Sequence, residues 1–190
     1  MITLEQIKKF FASYRRREIR NPSLAPAGVL MILFPKGGEL HFLLTKRTED
    51  VEHHKGQISF PGGSKDDDDS DIILTALREC EEEIGLQRDG VHVLGLFDDY
   101  ETPSGFAITP VVAYAETMPH LKPNAEEVAE VLEVPVSVFL EKANERVEKR
   151  KWRDKLYDVY YYSYRGHEIW GATAAIIRSF LRALRDEQPG

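Results

Sequence analysis

Leu4, Ile7, Phe10, Phe11 and Tyr14 recur at helical spacing, so the chain opens on an expected amphipathic helix over about residues 3–20. Arg15, Arg16, Arg17 and Arg20 read as its solvated basic end, complementing the helix dipole. Pro22 and Pro26 punctuate a loop. Two β-rich runs follow at 28–34 and 40–46; Pro35-Lys36-Gly37-Gly38 between them gives a hairpin signal. A helix is expected to start near Asp69 or Ser70 and stop at Gly85, since Ser and Asp cap N-termini and Gly caps C-termini. Residues 91–100 and 106–115 read as strands joined by a turn with Pro103 and Gly105. A short strand over 130–136 with a helical turn after Pro135, and a Tyr-rich strand over 157–164, come next. An apolar-striped helix at 173–184, within about 171–187, closes the chain. Strands mixed with well-separated helices predict one α/β domain over 1–190, with no internal repeat.

Composition narrows the partners. The 190 residues carry 32 Asp+Glu against 25 Lys+Arg, a formal charge of -7, which disfavours a nucleic-acid partner held through phosphates. The longest apolar run, 27–34, falls far short of the ~20 residues that span a bilayer. No stretch at the N-terminus reads as a signal peptide, and the single cysteine, Cys80, has no partner for an internal disulfide. A soluble cytoplasmic protein without a membrane partner is the expectation.

The chemistry concentrates in Arg78-Glu79-Cys80-Glu81-Glu82-Glu83-Ile84-Gly85-Leu86. At ~3.6 residues per turn, Ile73, Leu77, Cys80 and Ile84 fall within roughly 40° of one another and form the buried stripe. Cys80 is thereby packing rather than a nucleophile. Glu79, Glu82 and Glu83 share another face. Like charges one turn apart repel, and a hard divalent cation with oxygen ligands offsets that. Gly62-Gly63 upstream lets the backbone approach a metal or phosphate closely. Arg78 is spaced to pair with a carboxylate of the next turn, such as Glu82.

This segment resembles the Nudix hydrolase box, matched position for position from Arg78 to Leu86. Its first half departs: fourteen residues separate Gly63 from Arg78, one more than in the general motif, and Asp69 or Ser70 stands where the first Glu is expected. Leu43-Leu44-Thr45-Lys46-Arg47, Gly56 and Phe60-Pro61-Gly62-Gly63 resemble the signature of the coenzyme A pyrophosphatase branch, with Thr48 in place of Ser or Ala and Glu52 in place of an Arg. Ile169-Trp170-Gly171-Ala172-Thr173 is similar to that branch as well.

The resemblance implies an α/β/α sandwich with a mixed sheet and hydrolysis of a pyrophosphate by metal-activated water, without a covalent intermediate. Glu79, Glu82 and Glu83 would hold Mg²⁺ or Mn²⁺, with Glu79 and Glu83 foremost and a backbone carbonyl of Gly62 or Gly63 as a further ligand. Arg78, Glu79 and Glu82 count as catalytic candidates. The general base is a box carboxylate or a later acid among Glu126, Glu127 and Glu130, and Glu127 is singled out. Arg47, Gly62 and Gly63 are the substrate-binding candidates, since guanidinium grips phosphate bidentately. His53 and His54 could touch a phosphate, though as loop histidines they are more simply exposed. The tyrosines at 157, 160, 161, 162 and 164 could stack on an adenine, or form a core face with a subunit contact. Family habit alone suggests a homodimer. The expected substrate is coenzyme A or its thioester. Alternatives are another nucleoside diphosphate derivative such as ADP-ribose or NADH, motivated by Glu52, a silent nucleotide-binding module, and an isomerase on the same fold.

Overall fold

The computed structural model describes residues 1–49, 56–152 and 155–186. At its centre lies β1 (Ala25–Lys36), whose near-continuous apolar run is what a strand covered on both faces requires. Leu30, Ile32 and Phe34 point into one hydrophobic layer, Met31 and Leu33 into the other. β2 (Glu39–Arg47) completes the expected hairpin. β3 (Ile58–Ser59) and β4 (Gly62–Ser64) are short, and β5 (His92–Leu96), β6 (Tyr100–Glu101), β7 (Phe106–Tyr114) and β8 (Val128–Pro135) complete the large sheet. Its order is β3-β2-β1-β7-β5, with β4 on β1, β6 on β7 and β8 on β2. The β1–β7 ladder is parallel and the others are antiparallel, so the sheet is mixed. A second sheet joins β9 (Glu145–Trp152), β10 (Lys155–Tyr164) and β11 (His167–Trp170).

Helix α2 (Ile72–Ile84) covers one face of the large sheet; α1 (Leu4–Ser13), α3 (Gly171–Asp186) and buried residues of β10 and β11 cover the other. This is the expected layered α/β/α arrangement. Ala76, Cys80 and Ile84 are buried along α2, with Ile73 and Leu77 packed beside them. Full burial of a side chain the size of Ile84 contributes roughly 1.5–3 kcal/mol. Burial also pushes the Cys80 thiol pKa up, in keeping with a packing role.

Several strands run a few residues beyond or short of the expected bounds, β9 and β11 were not expected, and three boundaries differ for a visible reason. α1 stops at Ser13 instead of running to about 20, because residues 14–19 are drawn across the acidic pair between β5 and β6. Tyr14 donates its hydroxyl to Asp98 Oδ1 at 2.6 Å, and Arg17 gives Asp98 its backbone N–H at 2.8 Å and its Nε at 2.5 Å. Ile19 N donates to Asp99 Oδ2 at 2.8 Å, and Arg16 pairs with Asp99 at 3.4 Å. Arg16 and Arg17 are thus clasps on a strap rather than a solvated helix end. The same pair interrupts the expected 91–100 strand, which leaves the ladder after Leu96. α2 begins two residues after Ser70, since Asp71 is the N-cap and accepts from Leu74 N at 2.9 Å. At its other end Gly85 is left-handed (φ 64°), as expected for a C-cap.

Candidate active site

The site forms where β4, the outer face of α2 and the end of β2 meet. β4 pairs with β1 through Val29↔Gly62 and Gly28↔Gly63. A side chain on Gly62 (φ 151°) would collide with the backbone of β1, and one on Gly63 would collide with the Glu79 carboxyl. These glycines therefore let α2 lay its carboxylates directly on the strand.

Arg78 fastens the loop to the helix. Nε and Nη2 grip Asp69 at 3.2 and 3.0 Å, Nη1 reaches Glu79 at 2.9 Å and Glu82 at 3.1 Å, and Nη2 also donates to Ser64 O at 3.1 Å. With one donor on Nε and two on each Nη, the guanidinium is fully engaged within the protein. The expected Arg78–Glu82 pair is present, as one strand of a wider knot. Asp69 is tied into this knot, beyond marking the start of the helix. It is buried, and its Arg78 partner holds the carboxyl well below the usual carboxylate range. Its place at the first acidic position of the box was the available signal for this role.

Glu83 lies under Gly62 and Arg47. Oε2 accepts Gly62 N at 3.1 Å and Oε1 accepts Arg47 Nη1 at 3.3 Å, with only 4% of the residue exposed. Burial pushes its pKa up to about 7; the Gly62 amide and Arg47 oppose this, while Glu79 and Glu127 add repulsion. Burial also raises the Glu79 pKa, against the pull of Arg78. Glu82 turns the other way, its side chain 58% exposed. Arg47 Nε is buried without a partner among the described residues.

Glu127 belongs to the same electrostatic group through its effect on Glu83, and Asn124 Nδ2 donates to its Oε1 at 3.1 Å. Glu126 contributes backbone, its carbonyl accepting Thr48 Oγ1 at 2.9 Å. Glu130 points elsewhere, within 3.4 Å of His167 Nε2. Glu52, His53 and His54 lie outside the described residues. Of the tyrosines, Tyr162 is buried, Tyr160 and Tyr164 pack against the core, and Tyr161 stacks on Trp170 at 5.8 Å beneath Arg146. Tyr160, Tyr162 and Tyr164 supply the core face of the second sheet, while Tyr161 lies on its other face and Tyr157 is exposed.

Among the described residues no three His, Cys, Asp or Glu side chains already converge on one point. The donors nonetheless suit a hard cation. Glu79 and Glu83 are crowded carboxylates whose ionisation burial and mutual repulsion oppose, and a divalent ion would remove that penalty. In the metal-free protein the raised Glu83 pKa favours folding below the ordinary carboxylate range, and that contribution is lost as pH rises through about 7. Metal binding has the opposite sign because it needs the carboxylate. Titration of the protein with Mn²⁺ at pH 6 is therefore expected to release close to one proton, and at pH 8 almost none. Calorimetry in two buffers of different ionisation enthalpy reads this directly; a binding heat independent of buffer at pH 6 would contradict it.

The NUDIX domain profile matches residues 24–160. Nudix hydrolase NudL of Pectobacterium atrosepticum is 37% identical over 147 residues, covering 76% of this chain and 75% of its own. NudL of Enterobacter sp. is 31% identical over 93% of this chain and 92% of its own. Nudix hydrolase 15, mitochondrial, of Arabidopsis thaliana is 36% identical over 80% of this chain and 55% of its own. The fold is also that of the MutT protein from Methanosarcina mazei, with TM-score 0.56 and 18% identity over 93% of this chain and all of that one. No helix among the described residues is long and apolar enough to cross a membrane. With the NUDIX profile spanning residues 24–160 and relatives at 31–37% identity along most of its length, the chain belongs to the Nudix hydrolase family, pyrophosphohydrolases that act on nucleoside diphosphate derivatives.

Proposed function

We propose that the chain hydrolyses the pyrophosphate of coenzyme A, or of its thioesters, giving phosphopantetheine or its acyl form and adenosine 3',5'-bisphosphate. The observation that carries this is Arg47: it ends the strand bearing the branch signature, sits on Glu83 beside Gly62, and keeps a buried Nε without a partner among the described residues. A guanidinium so placed suits a phosphate oxygen of the substrate. Glu79 and Glu83, with Glu82 as the third candidate, would hold Mg²⁺ or Mn²⁺, which would neutralise phosphate oxygens and acidify water. Arg78 keeps Glu79 and the glycine strand in place. The Glu127 carboxylate accepts a proton as water attacks one phosphorus; the bond from that phosphorus to the bridging oxygen breaks, and the second phosphate leaves.

Glu52 in place of an Arg favours a second reading, in which another nucleoside diphosphate derivative is preferred. Purified protein with Mg²⁺ or Mn²⁺ and, separately, coenzyme A, ADP-ribose, NADH and a diadenosine polyphosphate distinguishes them. The first reading expects the highest kcat/KM for coenzyme A, with phosphopantetheine as a product. A higher kcat/KM for ADP-ribose or NADH would replace it with the second.

A further inference from the structure

Residues 121–127 pass the C-terminal end of α2, and the segment is fastened to site elements on both sides. Lys122 N donates to Ile84 O at 2.7 Å and Asn124 N to Glu83 O at 2.8 Å. These bonds satisfy carbonyls that the helix C-terminus leaves without intrahelical partners, so the segment is tied to the helix that carries Glu79 and Glu83. On the other side Thr48, one residue beyond Arg47, gives its N–H to Glu127 O at 2.9 Å and its hydroxyl to Glu126 O at 2.9 Å. The backbone of Glu127 is thus fixed relative to both Glu83 and Arg47.

The Asn124 side chain uses its two ends differently. Oδ1 accepts Glu126 N at 3.1 Å and closes an Asx turn, while the Asn124 carbonyl accepts Glu127 N at 3.0 Å and Val128 N at 2.8 Å. Nδ2 is left to donate to Glu127 Oε1 at 3.1 Å. Among the described residues Glu127 Oε2 takes no hydrogen bond. An Asp here would keep the turn but replace the donor with an oxygen that repels the Glu127 carboxylate, a Ser would be too short to serve both partners, and a Gln is one methylene longer.

We infer that Asn124 is a positioning residue that anchors Glu127 through Oε1 and so presents Oε2 to the attacking water. This rests on Glu127 being the proton acceptor, and the two claims fail separately. Glu127→Gln is expected to lower kcat by about 10²- to 10⁴-fold. Asn124→Asp, which retains the turn oxygen, is expected to lower kcat by about 10- to 100-fold through loss of one charge-assisted hydrogen bond. Its KM should stay near wild type, and its Tm should fall less than that of Asn124→Ala, since the turn is kept and only repulsion against Glu127 is added. Asn124→Ala should lower Tm as well, since the turn goes with the donor. In the Glu127→Gln background Asn124→Asp should cost less than about twofold more, the signature of two residues acting as one unit.

Turnover is measured on whichever of coenzyme A, ADP-ribose and NADH the wild-type protein cleaves fastest. Near-wild-type kcat in Asn124→Asp beside a crippled Glu127→Gln overturns the role of Asn124 and leaves that of Glu127. Multiplying effects in the double variant, or equal losses of Tm in the Asp and Ala variants, also overturn it by pointing to a merely structural residue. A Glu127→Gln protein with wild-type kcat overturns the assignment of Glu127 itself.

Discussion

Glu83→Gln is expected to lower kcat/KM by about 10³-fold or more, because the divalent ion that Glu83 is proposed to hold would supply several kcal/mol of transition-state charge stabilisation. Gln is nearly isosteric but carries no charge to bind a cation. In metal-free protein at pH 8 two effects on stability oppose one another. The substitution removes a buried charge that Glu79 and Glu127 repel, and it sets an amide donor against either Gly62 N or Arg47. Tm should therefore stay within about 3 °C of wild type. Mn²⁺ should raise the wild-type Tm and leave the variant's nearly unchanged. An active variant, or one still stabilised by Mn²⁺, would exclude Glu83 as a metal ligand.

Arg78→Lys is expected to harm both folding and turnover, although it conserves the charge. The guanidinium spans Asp69, Glu79, Glu82 and Ser64 at once, with contacts between 2.9 and 3.2 Å. An ammonium has three donors and no planar fork, so it cannot bridge the loop to the helix in the same way. Asp69 would keep a buried carboxyl with a poorer partner. Tm should fall by roughly 5–10 °C and kcat by about tenfold or more, through a loosened glycine strand. Because Arg78 lowers the Asp69 pKa, their pairing stabilises the fold at and above the ordinary carboxylate range and is lost on deep acidification. The Lys variant should accordingly lose part of the wild type's stability difference between neutral and strongly acidic pH. A wild-type Tm in Arg78→Lys would show that the knot is not needed for folding.

The parts of this molecule legible in its sequence are those set by local pattern. The α2 stripe and Gly85 follow from short-range rules, and Glu79 with Glu83 follows from helical spacing. The strap after α1 was not legible, because Arg15 to Arg20 look like a helix end until Asp98 and Asp99, some 80 residues away, draw them into extended backbone. β9 was missed because ERVEKRKW has neither a clean apolar alternation nor a buried run. At the site, the sequence showed which acids were available but not their directions. Glu82 faces solvent while Glu83 is buried because only the latter meets the Gly62 amide of β4. Thr48 stood out only as a departure from the branch signature and Asn124 belongs to no motif; their contacts are ones that the fold brings together.

Hydrolysis of coenzyme A in ¹⁸O-labelled water, at enzyme excess and with products read by mass spectrometry, tests the central claim most directly. The expected result is phosphopantetheine and adenosine 3',5'-bisphosphate, with a single ¹⁸O in the phosphate of one product and none in the other. Unlabelled products would mean that a protein oxygen had attacked, and intact coenzyme A beside a cleaved ADP-ribose control would mean that the site serves a different nucleoside diphosphate.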